Sequence, residues 1–322
     1  MAKRDRKKLL SKVAYLHYVE NMSQTEIAEK LGIYRTTISR MLTQAKEEGI
    51  VKIEIVDFDS DLFELEEYVK KKYDLKHLEV VPSMLHQQDE DILDVIARAA
   101  ANLLRSLAAE KQIIGLSWGK TLSQMVKKIE PKHFQQIRVC PLAGGPSHIN
   151  SNYHVNTLVY ELARKFHGES TFINATVVQE SKELAKGIIH SKYFQDTLAY
   201  WNTLDIAVVG IGGNLSQTGS QWRDLLEEND RKIIAQEEAV GESCCRFFNA
   251  AGELIYPELQ ERIVAIPFQL LAKTPISLGV AYGKNKSQAI LAMIKKGYLN
   301  SLVTDRDTLV QMLIEDGDLT YS

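Results

Sequence analysis

From about residue 77 onward, short apolar segments rich in β-branched residues alternate with segments of helical periodicity. The apolar segments are HLEVVPS, QIIGLSW, IRVCPLAGG, TFINA, DIAVVGIGG, RIVAIPF, PISLGVAYG and SLVTD. The pattern predicts helices at residues 90–109, 120–129, 153–167, 285–296 and 306–315. Continuous apolar strands joined by helices are typical of a parallel sheet that is buried on both faces. We therefore expect residues 77–322 to form an α/β domain with a Rossmann-like, largely parallel sheet.

Four loops that follow predicted strands carry glycine together with polar side chains. Their sequences are GLSWGKT at 115–121, AGGPSH at 143–148, GIGGN at 210–214 and GKNKS at 283–287. Ligands of open α/β sheets bind at the carboxyl ends of strands, and backbone N–H groups at the start of a helix favour anions. Each loop alone is equally typical of a tight strand–helix turn, but four in one sheet favour a polar crevice suited to phosphate. The spacing of a Walker A loop is absent, and no GxGxxG follows a strand.

The first fifty residues have a different pattern, that of three helices. The first is predicted at residues 7–20. Ser23 and Glu26 have the spacing of a capping box at the start of the second helix, and Gly32 suits its end. A third helix is predicted from about residue 34 to 48, and its short distance from the second is typical of a helix-turn-helix motif. After Gly49, the segment IVKIEIVDF alternates like a wing strand or hairpin.

The polar face of the third helix is suited to reading DNA. The second helix of such a motif enters the major groove, where Arg and Thr can contact base edges. We expect base contacts from Arg35, Thr36, Thr37 and Arg40, with Ser39 on the same face. Ser23, Gln24 and Thr25 are expected to contact backbone phosphate at the start of the preceding helix. A plain helical bundle that binds proteins is the alternative, but the cap, the glycine turn and the polar-basic face together favour double-stranded DNA.

Charge is distributed unevenly along the chain. Residues 1–52 contain eleven Lys or Arg and six Asp or Glu, a net charge of +5, whereas the other 270 residues carry −8. A basic segment on an acidic body fits a protein that touches a polyanion with one part only. Taken alone, this charge distribution is equally typical of a solvated N-terminal segment that binds no partner. An architectural protein with broad basic surfaces is disfavoured because the body is acidic.

Residues 59–75 predict an amphipathic helix between these two parts, with Leu62, Leu65, Val69 and Tyr73 on one side. Such a helix either packs within the chain or pairs with a second chain. The sequence thus predicts a DNA-binding domain at 1–56, a linker helix at 57–76 and a ligand-binding and oligomerisation domain at 77–322. A dimer is expected because one helix-turn-helix motif contacts few base pairs.

Cysteine use and hydropathy favour a reducing, cytoplasmic location. The cysteines are Cys140, Cys244 and Cys245, an odd number without CxxC spacing, so neither a disulfide framework nor a metal site is predicted. No apolar run reaches the length of about 18 residues that a membrane span needs. The basic N-terminus lacks the apolar stretch of a secretory signal. We expect no cofactor, no metal and no membrane partner.

Several motifs together resemble one known family. They are SQTEIAEKLGIYRTTISRMLTQAKEEGIV, GLSWGKT, PLAGG, VVGIGG, AVGESCCRFFNAAGE and GKNKSQAILAMIKKGYLNSLVTD. From about residue 7 to 315 the chain resembles the SorC family of bacterial sugar-responsive regulators, which includes a DeoR-like branch. The resemblance implies a body similar in fold to glucosamine-6-phosphate deaminase and ribose-5-phosphate isomerase. It also implies sugar or phosphosugar effectors, and an assembly that is a tetramer or a ligand-switched dimer.

The resemblance also implies which residues line the effector site. They are Ser117, Gly119, Thr121, Gly144, Gly145, Ser147, Gly212, Gly213, Glu242, Arg246 and Lys284. Arg246 and Lys284 would bind phosphate, although Lys284 is equally typical of a surface salt bridge. Glu242 stands where family members often have Asp. Because Ala143 rather than lysine precedes Gly144, that loop cannot form a Schiff base, and reversible noncovalent binding is expected.

An enzyme of the isomerase or deaminase type, carrying a DNA-binding domain, is the alternative function. Such chemistry needs a base beside the sugar carbon, yet VVGIGGNLS has no carboxylate where related enzymes keep acidic residues. His148 and His154 are isolated loop histidines, which are more often structural or solvated than catalytic. The sequence therefore favours a transcription regulator without enzyme activity, and the resemblance implies a repressor that is relieved by an inducer.

Overall fold

The computed structural model describes residues 3–52, 59–83, 89–146, 153–213 and 226–321, with side chains from residue 6 onward. The chain divides into two compact units, Met1–Asp59 and Ser60–Ser322. Most of the predicted wing, residues 53–58, lies outside the described residues, and residues 50–52 form no strand.

The described part of the first unit contains three helices, α1 (Lys3–Tyr18), α2 (Gln24–Leu31) and α3 (Arg35–Glu47). Their apolar faces meet in a small core in which Val13, Ile27 and Ile38 are fully buried. One apolar side chain from each helix thus reaches the centre of the unit. This arrangement confirms the helical helix-turn-helix fold predicted from the sequence.

The ends of α2 are fixed by local hydrogen bonds. The Ser23 hydroxyl accepts a hydrogen bond from the Glu26 N–H, and the Glu26 carboxylate accepts one from the Ser23 N–H at 2.8 Å. These bonds lower the pKa of the Glu26 carboxyl, the backbone bond from Ser23 most strongly. Gly32 ends the helix with φ at +67°, a left-handed conformation that glycine adopts without steric cost. The predicted capping box and glycine turn are therefore confirmed.

Among the described residues, the second unit contains a seven-stranded sheet and a short hairpin. The sheet strands are β1 (His77–Val81), β2 (Ile113–Leu116), β3 (Arg138–Pro141), β4 (Glu169–Ser170), β5 (Ile206–Gly210), β8 (Ile276–Val280) and β9 (Ser301–Asp305). The hairpin is formed by β6 (Gly241–Ser243) and β7 (Arg246–Phe248). The helices are α4 (Ser60–Lys72), α5 (Asp89–Leu107), α6 (Lys120–Lys128), α7 (Val155–Phe166), α8 (Lys182–Ile189), α9 (Gln195–Asn202), α10 (Glu228–Gln236), α11 (Pro257–Arg262), α12 (Phe268–Lys273), α13 (Ser287–Lys295) and α14 (Arg306–Glu315).

The sheet has the order β1-β9-β8-β5-β2-β3-β4, and each neighbouring pair is parallel. Both faces are buried. On β5, Val208 belongs to the apolar core on one side and Val209 to the core on the other, as expected where successive side chains point to opposite faces. The predicted α/β architecture with a parallel sheet is confirmed.

Two apolar segments predicted as strands, TFINA and RIVAIPF, are not strands of this sheet. The RIVAIPF segment contributes isolated bridges, Ile263 with Val178 and Ala265 with Ala143, whereas TFINA follows the two-residue strand β4 directly. Ile173 and Ile266 within these segments are buried. A short apolar run predicts burial in either case, but it does not distinguish a sheet strand from an extended buried segment beside the sheet.

Helix α4, the predicted linker helix, packs into the second unit. Leu65 and Val69 are fully buried in its core. The Tyr73 hydroxyl just beyond α4 donates to Asp316 Oδ2 at 2.8 Å, and Tyr68 donates to Asp318 Oδ2 at 2.6 Å. Both aspartates follow α14, so these hydrogen bonds connect the segment after α14 to α4 and the residue just beyond it.

Candidate functional site

Helix α3 carries an exposed polar face in the first unit. Arg35, Thr36, Thr37, Ser39 and Arg40, all predicted to serve DNA binding, are exposed. The opposite side of the helix is buried through Ile38, Leu42 and Ala45. The helical period therefore separates the residues that hold the fold from an exposed surface with two arginines and three hydroxyl groups.

The remaining predicted DNA contacts lie at the start of α2. Ser23 and Thr25 are exposed, and Gln24 is half-buried. The Ser23 oxygen already accepts the Glu26 N–H, so only its hydroxyl proton remains for a phosphate oxygen.

A cavity of about 220 Å³ lies in the second unit where β2, β5 and β8 end and α6 begins. Its lining residues are Ser117, Trp118, Gly119, Lys120, Thr121, Leu122, Gly210, Ile211, Gly212, Gly213, Glu242, Cys244, Val280, Tyr282 and Lys286. Of the predicted effector residues, the structure brings Ser117, Gly119, Thr121, Gly212, Gly213 and Glu242 together here. Pockets for drug-sized ligands are usually larger, about 300–1,000 Å³, so this one suits a small molecule.

Hairpin β6–β7 positions the Glu242 carboxylate in the cavity wall. The backbones of Glu242 and Gly212 exchange two hydrogen bonds, of 2.9 and 3.1 Å, and Glu242 Oε2 accepts the Cys245 N–H at 3.1 Å. A Cβ atom on Gly212 would lie 2.4 Å from Glu242 Oε1. Glycine at this position is therefore needed for the carboxylate to lie against the loop.

The cavity lining contains groups that favour an anion. Gly119 precedes α6 with φ at +140°, a conformation suited to glycine. Lys120 and Thr121 follow in the first turn, and Lys286 lines the cavity near the Tyr282 ring, 5.4 Å from Nζ to the ring centroid. Backbone N–H groups, a hydroxyl and two ammonium groups are the usual partners of a phosphate.

Ser117 and Cys244 lie on the buried side of the cavity. Ser117 is 2% exposed, and its Oγ accepts the Gly210 N–H at 3.2 Å, so it helps to fix the loop after β5. Burial, reinforced by the charge of Glu242, raises the pKa of the Cys244 thiol to about 12. The thiol is neutral at pH 7 and forms a weakly polar part of the wall.

Arg246 does not face the cavity, contrary to the prediction that it binds phosphate. It is buried, and its guanidinium donates to Ile266 O at 2.9 Å, Ala265 O at 2.7 Å and Gln260 Oε1 at 3.1 Å. Burial lowers its pKa to about 10, which leaves it charged at pH 7. Three of its five N–H donors bind residues 260, 265 and 266, so its role in this structure is to hold the 260–266 segment.

Lys284 is also outside the cavity lining. Its side chain is exposed and forms an ion pair of 3.7 Å with Asp307. Lys286, two residues further along the same loop, lines the cavity instead. The loop thus contributes Lys286 rather than Lys284 to the cavity lining, and both residues belong to the short turn of 3₁₀ helix at Lys284–Lys286.

Gly144 and Gly145 serve packing rather than the cavity. A Cβ atom on Gly144 would lie 2.7 Å from Ala175 O, and one on Gly145 would lie 2.1 Å from His154 Nε2. The other ring nitrogen of His154 accepts the Asn156 N–H at the start of α7, and burial lowers the pKa of this histidine. These contacts give His154 a structural role, and Ser147 and His148 lie outside the described residues.

Sequence reasoning missed nine lining residues. They are Trp118, Lys120, Leu122, Gly210, Ile211, Cys244, Val280, Tyr282 and Lys286. Most occupy the strand ends and loops that were identified, so listing every residue at those ends would have found them. Cys244 could not be found in this way, because the turn of its hairpin has two left-handed residues, Cys244 and Cys245, in place of the usual Asn-Gly.

The described residues contain neither a metal-ligand cluster nor a membrane-spanning helix. No group of three or more His, Cys, Asp or Glu in that part of the chain is arranged to hold a metal ion. None of the described helices is long and apolar enough to cross a membrane.

Comparison with known families supports both units. Residues 59–314 match a family model described as a putative sugar-binding domain, and residues 20–52 match a winged helix-turn-helix DNA-binding model. The sorbitol operon regulator of Klebsiella pneumoniae is 34% identical, over 95% of this chain and 98% of that protein. The deoxyribonucleoside regulator of Bacillus subtilis strain 168 is 28% identical, over 97% and 99%.

Solved structures agree with these relatives. A crystal structure of a transcriptional regulator from Streptococcus pneumoniae TIGR4 has a TM-score of 0.77 and 47% identity, and it covers 81% of this chain and 100% of that one. The full-length sorbitol operon regulator SorC from Klebsiella pneumoniae has a TM-score of 0.75 and 33% identity, with 95% and 98% covered. A helix-turn-helix unit joined to a sugar-binding α/β unit defines a class of transcription regulators. Within that class, this chain belongs to the SorC family.

Proposed function

We propose that this chain is a DNA-binding transcriptional regulator of a carbohydrate-utilisation operon, controlled by reversible binding of a sugar or phosphosugar. The observation that carries the proposal is the cavity at the carboxyl ends of β2, β5 and β8, in a chain that also presents the exposed polar face of α3. Two relatives are named as regulators of a sorbitol operon and of deoxyribonucleosides. Sorbitol is a sugar alcohol, and a deoxyribonucleoside contains a sugar.

The chemistry of the cavity favours a phosphosugar. The Glu242 carboxylate can accept hydrogen bonds from sugar hydroxyls. Lys120 and Thr121 lie where α6 begins, and Lys286 lines the cavity beside Gly213. A molecule that carries both hydroxyls and a phosphate would use both kinds of group. Its binding is proposed to be reversible and noncovalent.

Helix α14 offers a route from the cavity to α4. At its start, the Gly283 N–H donates to Asp305 Oδ2 at 3.1 Å and to Thr308 Oγ1 at 2.7 Å. Gly283 opens the loop that carries Lys286. Beyond the other end of α14, Asp316 and Asp318 accept hydrogen bonds from Tyr73 and Tyr68. A ligand that moves the loop would therefore also bias α4, whose first residue follows the first unit in the chain.

We further propose that the chain acts as a homo-oligomer, a dimer or a tetramer, and as a repressor that its effector releases from DNA. For this, the ligand must bind the DNA-competent and DNA-released states with different affinities. Catalysis is not part of the proposal. Incubation with phosphosugars, followed by assays for ketose–aldose conversion and ammonia release, tests that exclusion, and clear turnover would overturn it.

Calorimetric titration of the full chain tests the effector proposal. The panel should contain hexoses, pentoses and polyols, each free and as its monophosphate. We expect at least one phosphorylated member to bind more tightly than its free sugar, and we expect K286M to weaken that preference. K284M is the matched control, because Lys284 lies in the same loop but outside the cavity lining. If no member binds, the proposed effector class is wrong.

A further inference from the structure

The start of α3 lacks the side-chain cap that is present at the start of α2. Helix α2 has a complete capping box, made by Ser23 and Glu26. Helix α3 has Tyr34 at its N-cap position, and within the described residues no side chain caps it. Ser, Thr, Asp or Asn at an N-cap is usually worth about 0.5–2 kcal/mol over residues that cannot cap. Helix α3, which is proposed to contact DNA, therefore lacks this stabilisation.

The side chain of Tyr34 is not used by the fold of the first unit. It is 85% exposed, the highest exposure among the large apolar side chains that are described there. The other two exposed tyrosines of the unit have partners inside it. The interaction of Tyr15 with Glu20 raises the pKa of the Tyr15 phenol, and the Lys46 ammonium lies 5.7 Å from the Tyr18 ring centroid. A sequence commonly lacks the locally favoured residue, here a helix cap, at positions where function requires a different side chain.

The position of Tyr34 indicates what it would touch. Its backbone is extended, with φ at −62° and ψ at 139°, and it immediately precedes Arg35. It therefore lies at the edge of the face that would enter the groove, where the DNA backbone passes. A phenol hydroxyl is a recognised donor to phosphate oxygens, whereas the usual partners of base edges are Arg, Lys, Asn, Gln, Ser and Thr.

We propose that the Tyr34 hydroxyl donates a hydrogen bond to a DNA backbone phosphate, so that Tyr34 adds affinity without reading sequence. The inference rests on the DNA-binding function proposed above. It assigns Tyr34 a different role from Arg35, Thr36, Thr37 and Arg40, whose expected contacts are with bases.

The test uses the full chain and two duplexes of equal length. One is the sequence that the wild-type chain enriches from a pool of random 30-base-pair duplexes, and the other is an unrelated duplex. Fluorescence anisotropy gives the Kd of wild type, Y34F and Y34S at several salt concentrations. Y193S in the second unit is the matched control, because Tyr193 is 84% exposed.

Both Y34F and Y34S are expected to weaken binding to both duplexes by about tenfold, the size expected for a lost hydrogen bond to a charged acceptor. The ratio of the two affinities and the slope with salt should stay unchanged, because no base contact and no charge is removed. The Tm of Y34S should equal or exceed that of wild type, since serine can cap α3, and Y193S should bind as wild type does.

Three results would overturn the inference. Unchanged affinity in Y34F would show that the hydroxyl makes no contact. A changed sequence preference in Y34S would make Tyr34 a base-reading residue. A fall in Tm that accounts for the lost binding would make it structural. Failure of the wild-type chain to enrich any duplex would instead contradict the sequence-specific DNA binding on which the inference depends.

Discussion

At the scale of single residues, Gly212 is the position on which the cavity wall depends most directly. Its backbone pairs with Glu242, and a methyl group in place of its hydrogen would meet Glu242 Oε1 at 2.4 Å. The carboxylate or the loop would have to move. The identity of residue 212 therefore decides where the cavity places its carboxylate.

We expect G212A to weaken effector binding by at least about tenfold, because a displaced Glu242 loses its charged hydrogen bonds to the ligand. Titration of the variant with the ligand found for wild type measures this effect. G187A is the matched control, since a Cβ on Gly187 in α8 meets nothing within 4 Å. It should bind like wild type and be more stable by about 0.5–1 kcal/mol. Normal binding by G212A would contradict the assigned position of Glu242.

Arg246 leads to a different expectation, because its guanidinium is committed to the fold. We expect R246M to lower the free energy of unfolding by about 2–5 kcal/mol, since the buried carbonyls of Ala265 and Ile266 lose their donors. Urea unfolding followed by tryptophan fluorescence measures the loss, and K284M should change stability by less than about 0.5 kcal/mol. A stable R246M that fails to bind phosphosugars would restore the predicted ligand role.

At the scale of elements, the sequence predicted best where local chemistry decides the structure. The capping box at Ser23 and the turn at Gly32 are fixed by hydrogen bonds and sterics within a few residues, so both could be read directly. Hairpin β6–β7 could not be predicted, because two consecutive cysteines give no turn signal although both adopt a left-handed conformation. The 283–287 loop likewise has no local pattern that shows which of its lysines lines the cavity, and the prediction of Lys284 was wrong.

The junction of α4 with the end of α14 gives the protein a pH-dependent contact. Burial, the hydrogen bond to Asp316 and the charge of that aspartate raise the pKa of Tyr73 above its usual value. A raised pKa in the folded state means that the contribution of Tyr73 is fully present below the unfolded pKa of about 10. It is lost as the pH rises above that value.

We therefore expect the free energy of unfolding to decrease between pH 9 and pH 11, and we expect Y73F to decrease less over the same range. Denaturant unfolding at a series of pH values measures both slopes. Y193F provides a matched control that removes a hydroxyl from an exposed ring, and it should behave like wild type. Equal slopes in Y73F and wild type would show that the contact with Asp316 does not form in solution.

At the scale of the whole molecule, the strand–helix alternation predicted the sheet because inner strands such as β5 are buried on both faces, as Val208 and Val209 show. The family resemblance rests on motifs in both units, and the matching family models span 20–52 and 59–314. Six predicted effector residues line one cavity. Arg246, Gly144 and Gly145 do not line it, because they pack against other parts of the protein. Whether a glycine or an arginine serves packing or a ligand depends on neighbours distant in sequence.

Oligomerisation is a whole-molecule expectation. A dimer that places two copies of α3 in successive major grooves would bind a palindrome with half-sites about 10–10.5 base pairs apart, or a multiple of that spacing. Selection from random duplexes should therefore yield an inverted repeat, and light scattering should show at least a dimer. A monomer that enriches a single unrepeated half-site would contradict this expectation.

The most direct test of the central claim, that one chain couples sugar binding to DNA binding, is its operator affinity with and without effector. The Kd of the full chain for the duplex that it enriches should be measured in the absence and presence of each member of the sugar and phosphosugar panel. We predict that one phosphosugar weakens operator binding at least about fivefold, the lower end of typical allosteric coupling, and that G212A abolishes the response while binding DNA normally. Unchanged affinity with every compound, including those that bind the cavity, would contradict the account.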